Sequence, residues 1–184
     1  MKLSVPCKKV GEISAELKQS YLNKIQPDDW HRSDDMRKEM FTDPSINSIL
    51  LRHFDSYYWQ DKTSWRDHIV NKILFDKFKD EIELTLTVLD KIYDGYEDYM
   101  IFLARILPGG EVGQHEDANP FLETCHRIHI PLSTNPEVIY NIHGINYHWE
   151  EGKIYEFNNM LPHGCKNNSD LERIHLIINL YKNK

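Results

Sequence analysis

Apolar positions recur along the chain with two different periods, and the change falls near residue 96. Before it the spacing is helical. Ile13, Leu17, Tyr21 and Ile25 stand at steps of four, which predicts one amphipathic face over Glu12–Ile25. Ile69, Val70, Ile73 and Leu74 predict a second helix, opened by Ser64 with Asp67 three residues on. Ile82, Leu86, Leu89 and Tyr93 predict a third over Asp80–Tyr93. Its Leu84-Thr-Leu-Thr-Val stretch would also suit a strand, but the length favours a helix. One early strand is expected at Ser45–His53.

After residue 96 the texture is short alternating segments separated by Gly, Pro and Asn. Strands are expected at Tyr99–Leu107, Cys125–Leu132, Val138–His143, Tyr147–Trp149, Lys153–Phe157, His163–Lys166 and Arg173–Tyr181. Pro108-Gly109-Gly110 ends the first, and Gly144-Ile-Asn146 and Glu150-Glu-Gly152 are turns. So many short strands indicate a sandwich or small barrel. The expected architecture is mainly β with N-terminal helices. One domain spans 1–184, with a mostly helical part at 1–95 packed on one outer face of a β core at 96–184.

Composition narrows the function classes. The chain has 184 residues, 40% apolar and 28% charged, which suits an ordinary globular domain. A formal net charge of −7 and the lack of any Lys/Arg-rich run argue against a nucleic-acid partner. Apolar runs such as Ile174–Leu180 are too short to span a bilayer, and Met1–Lys9 holds no apolar run of signal-peptide type. No membrane association is expected. Three cysteines without paired spacing (Cys7, Cys125, Cys165) suggest reduced thiols and a cytoplasmic location.

The chemistry gathers around Pro108-Gly-Gly-Glu-Val-Gly-Gln-His115-Glu-Asp117. On an extended segment His115 and Asp117 leave the same face, and His163 follows much later. Two histidines and one carboxylate in that order are the ingredients of a facial triad for Fe(II) with open positions. Glu116, between them, points away. Two strands then repeat one pattern. Arg127 and His129 share a face opposite Ile128 and Ile130, and Arg173 and His175 share a face opposite Ile174, Leu176 and Ile178. If the apolar residues face outward, both Arg-x-His pairs face a central cavity. Arginine there is costly unless it meets an anion, and a carboxylate is the matching ligand. Iron, open positions and a carboxylate clamp together describe a 2-oxoglutarate site, with O2 in the remaining position.

The sequence resembles the aspartyl/asparaginyl β-hydroxylase-like 2-oxoglutarate dioxygenases, which include free-proline hydroxylases. The likeness spans roughly residues 98–181. It is carried by Arg105–His115, Arg127-Ile-His-Ile-Pro-Leu-Ser-Thr-Asn-Pro-Glu-Val138, Trp149–His163 and Asn167–Ile178, in that order. The resemblance implies a double-stranded β-helix, a jelly-roll or cupin-like fold. It implies that His115, Asp117 and His163 bind iron and that Arg173 holds the distal carboxylate of 2-oxoglutarate. Arg127 and His129 would lie near the keto-acid end or the substrate. Asp117 places the chain with relatives that keep the full triad, unlike the His-x-Gly vertebrate enzymes. Asn158-Asn159 departs from the family's usual Phe-Asp-Asn. The implied reaction hydroxylates an unactivated C–H of an amino acid, a small derivative or a peptidyl side chain, releasing succinate and CO2.

Two other readings stay open on the residues alone. A Zn or Mn cupin-like hydrolase or isomerase would use the same His2Asp set but leaves Arg173 unexplained. A non-catalytic 2-oxoglutarate-binding barrel would not need Asp117. His126, His143 and His148 follow no ligand spacing and read as structural or exposed. His175 suits a hydrogen-bonded interior histidine, Cys165 a small buried hydrophobe, and Tyr140 and Trp149 core or rim. Trp30, His31, Arg32, Arg52 and His53 could form a substrate wall, although the Asp28–Asp35 loop reads more simply as a solvated face. A short chain without a peptide-docking extension leans towards a small amino-acid-type substrate.

Overall fold

The computed structural model describes residues 3–32, 43–52, 72–117 and 122–182. In chain order the elements are β1 (Cys7–Glu12), α1 (Ala15–Lys24), α2 (Asp29–Arg32), β2 (Ile46–Arg52), α3 (Lys72–Asp90), β3 (Tyr96–Ile106), β4 (Glu111–His115), β5 (His126–Ser133), β6 (Val138–Ile142), β7 (Ile145–Tyr147), β8 (Lys153–Phe157), β9 (His163–Asn167) and β10 (Arg173–Lys182).

Local chemistry sets the helices. Ser14 caps α1 by accepting from Leu17 N at 3.1 Å. Helix α1 turns Tyr21 onto α3, where it stacks on Phe78 at 6.2 Å and meets Thr85 Oγ1 at 3.0 Å. Helix α3 buries Leu74, Phe75, Phe78, Ile82 and Leu89 at helical spacing. Its one inward carboxylate, Glu81, accepts from Ser20 and Lys24, each at 2.6 Å. In the described part, the two helices expected at 64–74 and 80–93 are a single helix from Lys72. Ser64 to Val70 lie outside the described residues. Ile73, assigned to the apolar face, is exposed.

The strands form two antiparallel sheets, in the orders β1-β8-β5-β10-β3-β2 and β4-β9-β6-β7. The outward residues of the large sheet, Ile101, Leu103, Ile128, Ile130, Leu132, Ile174, Leu176 and Ile178, pack with α1 and α3 in one core. A second apolar cluster, including Ile106, Val138, Tyr140, Ile142, Trp149 and Phe157, fills the space between the sheets. The architecture is the expected one: mainly β with N-terminal helices, a double-stranded β-helix. Eight of the strands lie after residue 95. Strand β1 was not expected. Its Lys-Lys-Val-Gly texture lacks alternation, and it forms by adding to the free edge of β8 with a bulge at Lys9–Gly11. No helix among the described residues is long and apolar enough to cross a membrane.

Candidate active site

Strand pairing brings the separated histidines together. In β4 and β9 the register runs Glu111↔Lys166 and Val112↔Cys165, then shifts by one residue to set His115 opposite His163. A bulge of this kind re-aims a side chain. Gly164 allows the close approach, since a Cβ there would lie 2.8 Å from Val112 O. The two imidazoles are 4.3 Å apart, centroid to centroid. Asp117 lies just past the end of β4, its N–H donating to Asn159 O at 3.0 Å. Its Oδ1 is 3.7 Å from His115 Nε2 and its Oδ2 is 3.9 Å from His163 Nε2. All three ligand atoms fall within 4.8 Å of one another, a spacing one metal ion can bridge.

The histidines are set for this task. His115 Nδ1 lies 2.9 Å from Gly113 O and His163 Nδ1 lies 2.8 Å from Leu161 O. A carbonyl only accepts, so both Nδ1 atoms carry the proton and both Nε2 lone pairs are free for a metal. Burial lowers the His163 pKa, favouring the neutral form a metal needs. The Asp117 carboxylate is held from behind by Asn159 Nδ2 at 3.3 Å from Oδ2. Asn159 itself is fully buried and also donates to Leu122 O at 3.2 Å. His115 is the exposed member of the trio and marks the mouth. Glu116, beside it, is solvent-exposed.

Behind the trio a cavity opens between the sheets, lined by Arg127, His129, Tyr140, Trp149, Phe157 and Arg173 among others. Both arginines therefore enter the same space. Arg173 is only 3% exposed and finds no carboxylate among the described residues. Its Nε has no acceptor, and its one bond, to Ala104 O, is long at 3.5 Å. The guanidinium sits 5.2 Å from the Tyr140 ring centroid. Burial pushes its pKa down to about 9, which still leaves it charged at neutral pH. A buried, uncompensated cation at the end of a cavity is a site built for an anion.

The other predicted residues fall into place around this axis. Arg127 reaches towards Asp117 (Nε to Oδ2, 3.9 Å) and donates to Asn179 Oδ1 at 2.9 Å. His129 stands edge-on to Trp149, Phe157 and His175, at 5.3, 5.1 and 5.7 Å. His175 is fully buried against Tyr140 OH (3.2 Å from Nδ1), with its pKa held well below the usual value by burial. Cys165 lines the cavity as a buried thiol whose pKa is pushed up by burial.

The expected substrate wall differs. Trp30 is buried, with Arg105 over its ring at 4.5 Å, and Arg52 lies over Phe75 at 5.2 Å; neither lines the cavity. Asp29 is no solvated residue but a buried one that pairs with Lys77. The side chains of His31, Arg32 and His53 lie outside the described residues, as do residues 33–35 and 118–121. His126 bonds Glu156 beside Tyr93, while His143 and His148 are exposed. The residues that sequence reasoning missed are Asn159 and Asn179. For Asn159 the one available signal was the Asn-Asn pair four residues before His163. For Asn179 it was its position on the Arg173–His175 face.

The sequence profile of the aspartyl/asparaginyl β-hydroxylase family matches residues 8–183. No curated protein sequence matches the chain. Among solved structures, the Pseudomonas putida prolyl-4-hydroxylase is 13% identical with a TM-score of 0.57, covering 98% of this chain and 95% of its own. The 2-oxoglutarate complex of the viral collagen prolyl hydroxylase from Paramecium bursaria Chlorella virus-1 is 13% identical with a TM-score of 0.56, covering 98% of both chains. The non-heme α-ketoglutarate-dependent epimerase SnoN of nogalamycin biosynthesis is 9% identical with a TM-score of 0.66, covering 96% and 76%. These likenesses agree with the fold. The profile spans nearly every residue, and the chain belongs to the aspartyl/asparaginyl β-hydroxylase family, enzymes that are 2-oxoglutarate-dependent oxygenases working with Fe(II) and O2.

Proposed function

We propose that this protein hydroxylates an unactivated C–H bond of an amino acid or small amino-acid derivative, with His115, Asp117 and His163 as the iron ligands and Arg173 as the cosubstrate clamp. The observation that carries this reading is Arg173: a buried cation with an orphan Nε, in the cavity behind a trio of converging ligand atoms. A zinc hydrolase would leave that cation unexplained.

Each part of the chain has a task. Asn159 and Arg127 hold the Asp117 carboxylate from two sides. The backbone carbonyls of Gly113 and Leu161 fix the histidine tautomers. Arg173 binds the distal carboxylate of 2-oxoglutarate, and Arg127 and His129 stand towards its keto-acid end or the substrate. Tyr140, Trp149 and Phe157 exclude water around the reacting atoms. Fe(II) bound here supplies the oxidative chemistry in which 2-oxoglutarate, O2 and R–H become succinate, CO2 and R–OH. Three free thiols, two of them buried, suit a reducing compartment such as the cytoplasm.

The test is anaerobically purified protein given Fe(II), 2-oxoglutarate and a panel of free amino acids, then exposed to O2. Succinate above the metal-free control is expected with at least one substrate. No succinate with any substrate, and none from uncoupled turnover, overturns the reading.

A further inference from the structure

The aromatic filling between the sheets holds an ordered stack that water exclusion alone does not call for. His175, Tyr140, Trp149 and Tyr155 lie ring on ring, with successive centroids 5.4, 4.0 and 5.2 Å apart and interplanar angles of 22°, 18° and 12°. Trp149, near the middle, is only 1% exposed and lines the cavity behind the metal trio. Phe157 joins it to the trio, with its ring 5.9 Å from Trp149 and 4.9 Å from His163. The most easily oxidised ring of the cluster therefore stands two ring contacts from a metal ligand.

A route from this stack to the surface runs through Cys7. On the edge strand β1, Cys7 pairs directly with Phe157 of β8 and packs on the same cluster. Trp149 Nε1 is buried and finds no acceptor of ordinary geometry, which is uncommon for an indole N–H; the polar group beside it is the Cys7 thiol. Cys7 is half-buried, whereas Cys125 and Cys165 are buried. Burial pushes the Cys7 pKa up to about 11, so at neutral pH it is a thiol and not the thiolate that peroxides attack. Such a thiol still gives an electron and a proton to an oxidised indole at its side. Tyr140 is less suited to that task. Its phenol meets His175 Nδ1 at 3.2 Å, and burial holds the His175 pKa well below the usual value, so the imidazole does not keep the proton an oxidised phenol must shed.

We propose that Trp149 and Cys7 form a protective redox relay that drains the oxidising equivalents left when 2-oxoglutarate and O2 are consumed without a substrate, and that Cys7 is the site where a small thiol is then attached. This rests on the proposed oxygenase reading. Each such turnover leaves two oxidising equivalents. The site takes up two electrons and two protons and releases water. Trp149 relays the electrons. The Cys7 thiol and an external thiol, RSH, each lose one electron and one proton, and their sulfurs join as a mixed disulfide. In sum, 2-oxoglutarate, O2, the Cys7 thiol and RSH become succinate, CO2, H2O and the Cys7 mixed disulfide. A further thiol returns Cys7 by exchange.

The test gives the protein Fe(II), 2-oxoglutarate, O2 and glutathione without substrate, with catalase present to remove free peroxide. Succinate and glutathione adducts are counted, the latter by peptide mass spectrometry. An adduct at Cys7 that requires 2-oxoglutarate is expected, with none at Cys125 or Cys165. Trp149→Phe is expected to lower the Cys7 adduct formed per succinate by about tenfold. Cys7→Ser is expected to form succinate at the wild-type initial rate but to lose activity several-fold faster without substrate. Succinate without a Cys7 adduct, adducts spread over all three cysteines, or equal survival of Cys7→Ser overturns the proposal.

A second measurement needs neither metal nor turnover. Metal-free protein is illuminated in the tryptophan absorption band with glutathione and a cobalt(III) amine complex as electron acceptor. In the wild type Cys7 is expected to gain the adduct while Trp149 stays intact. In Cys7→Ser, oxidation products of Trp149 are expected to rise several-fold. Equal oxidation of Trp149 in both proteins overturns the relay. Protection of Trp149 by Cys7 under light, in a protein that forms no succinate under any condition, supports the relay and assigns the failure to the oxygenase reading.

Discussion

At the scale of single residues, the site depends as much on neutral polar side chains as on the ligands. Asn159 is the clearest case, because it touches Asp117 through both its backbone carbonyl and its carboxamide. Groups that orient a metal ligand from behind typically contribute about 10- to 100-fold in affinity. Asn159→Ala is therefore expected to weaken Mn(II) binding by roughly that factor. A metal titration that matches wild type would remove Asn159 from the site. His175 gives a second residue-scale prediction, in stability. Its folded pKa lies well below the unfolded value near 6.5, because burial and then the Arg173 charge disfavour the proton. Above pH about 6.5 both states are neutral and stability is complete. As pH falls below that value the unfolded chain takes up a proton that the folded one refuses. Stability then drops by up to about 1.4 kcal/mol per pH unit until the folded pKa is reached. His175→Phe should flatten the change in urea midpoint between pH 7.5 and 5.5 for metal-free protein. An unchanged slope would show that other groups carry it.

At the scale of elements, the site is a product of strand register. The bulge in β4 and the glycine at 164 set His115 opposite His163. A methyl group at 164 would meet Val112 O at 2.8 Å and Gln114 Nε2 at 3.0 Å. Backbone cannot yield as a flexible side chain can, so β4 and β9 must separate. Gly164→Ala is expected to cost about 1–3 kcal/mol in urea unfolding, and to weaken metal binding with it. Stability lost without metal affinity would mean the ligands tolerate a wider strand pair. What is legible in the sequence divides along the same line. The period-two strands β5 and β10 carry their faces openly, so alternation alone assigns Arg127, His129, Arg173 and His175 to one inner face; the fold sets the first three in the cavity wall and buries His175 against Tyr140. His115-x-Asp117 is legible because one intervening residue suffices on an extended segment. Strand β1 is not, because an edge strand formed by pairing alone needs no alternation. Asn159 and Asn179 are not, because a buried carboxamide leaves no periodic signature. Its role depends on which group the tertiary fold sets beside it.

At the scale of the whole molecule, the helices α1 and α3 press the apolar outer face of the large sheet, which turns the opposite face of β5 and β10 inward and sets Arg127, His129, Arg173 and Ile177 in the cavity wall. The same arrangement strands Arg173 away from water and from any described carboxylate. Stability and function are therefore opposed at this position. A buried charge without its partner destabilises the free protein, and the anion that binds it restores what was lost. Arg173→Met keeps the volume and removes the charge. Metal-free Arg173→Met is expected to melt higher than wild type by a few degrees, since about 1 kcal/mol is worth roughly 2–4 °C in a chain of this length. The wild type should respond to ligands in two steps, first with Mn(II) and again with 2-oxoglutarate. Each ligand at about 100 times its Kd adds about 2.7 kcal/mol, or roughly 5–10 °C. Arg173→Met should keep the metal step and lose the 2-oxoglutarate step. Thermal unfolding of the two proteins, with and without each ligand, checks all of this at once. If the variant melts lower when free and still gains from 2-oxoglutarate, Arg173 is a structural cation, and the clamp lies elsewhere in the cavity.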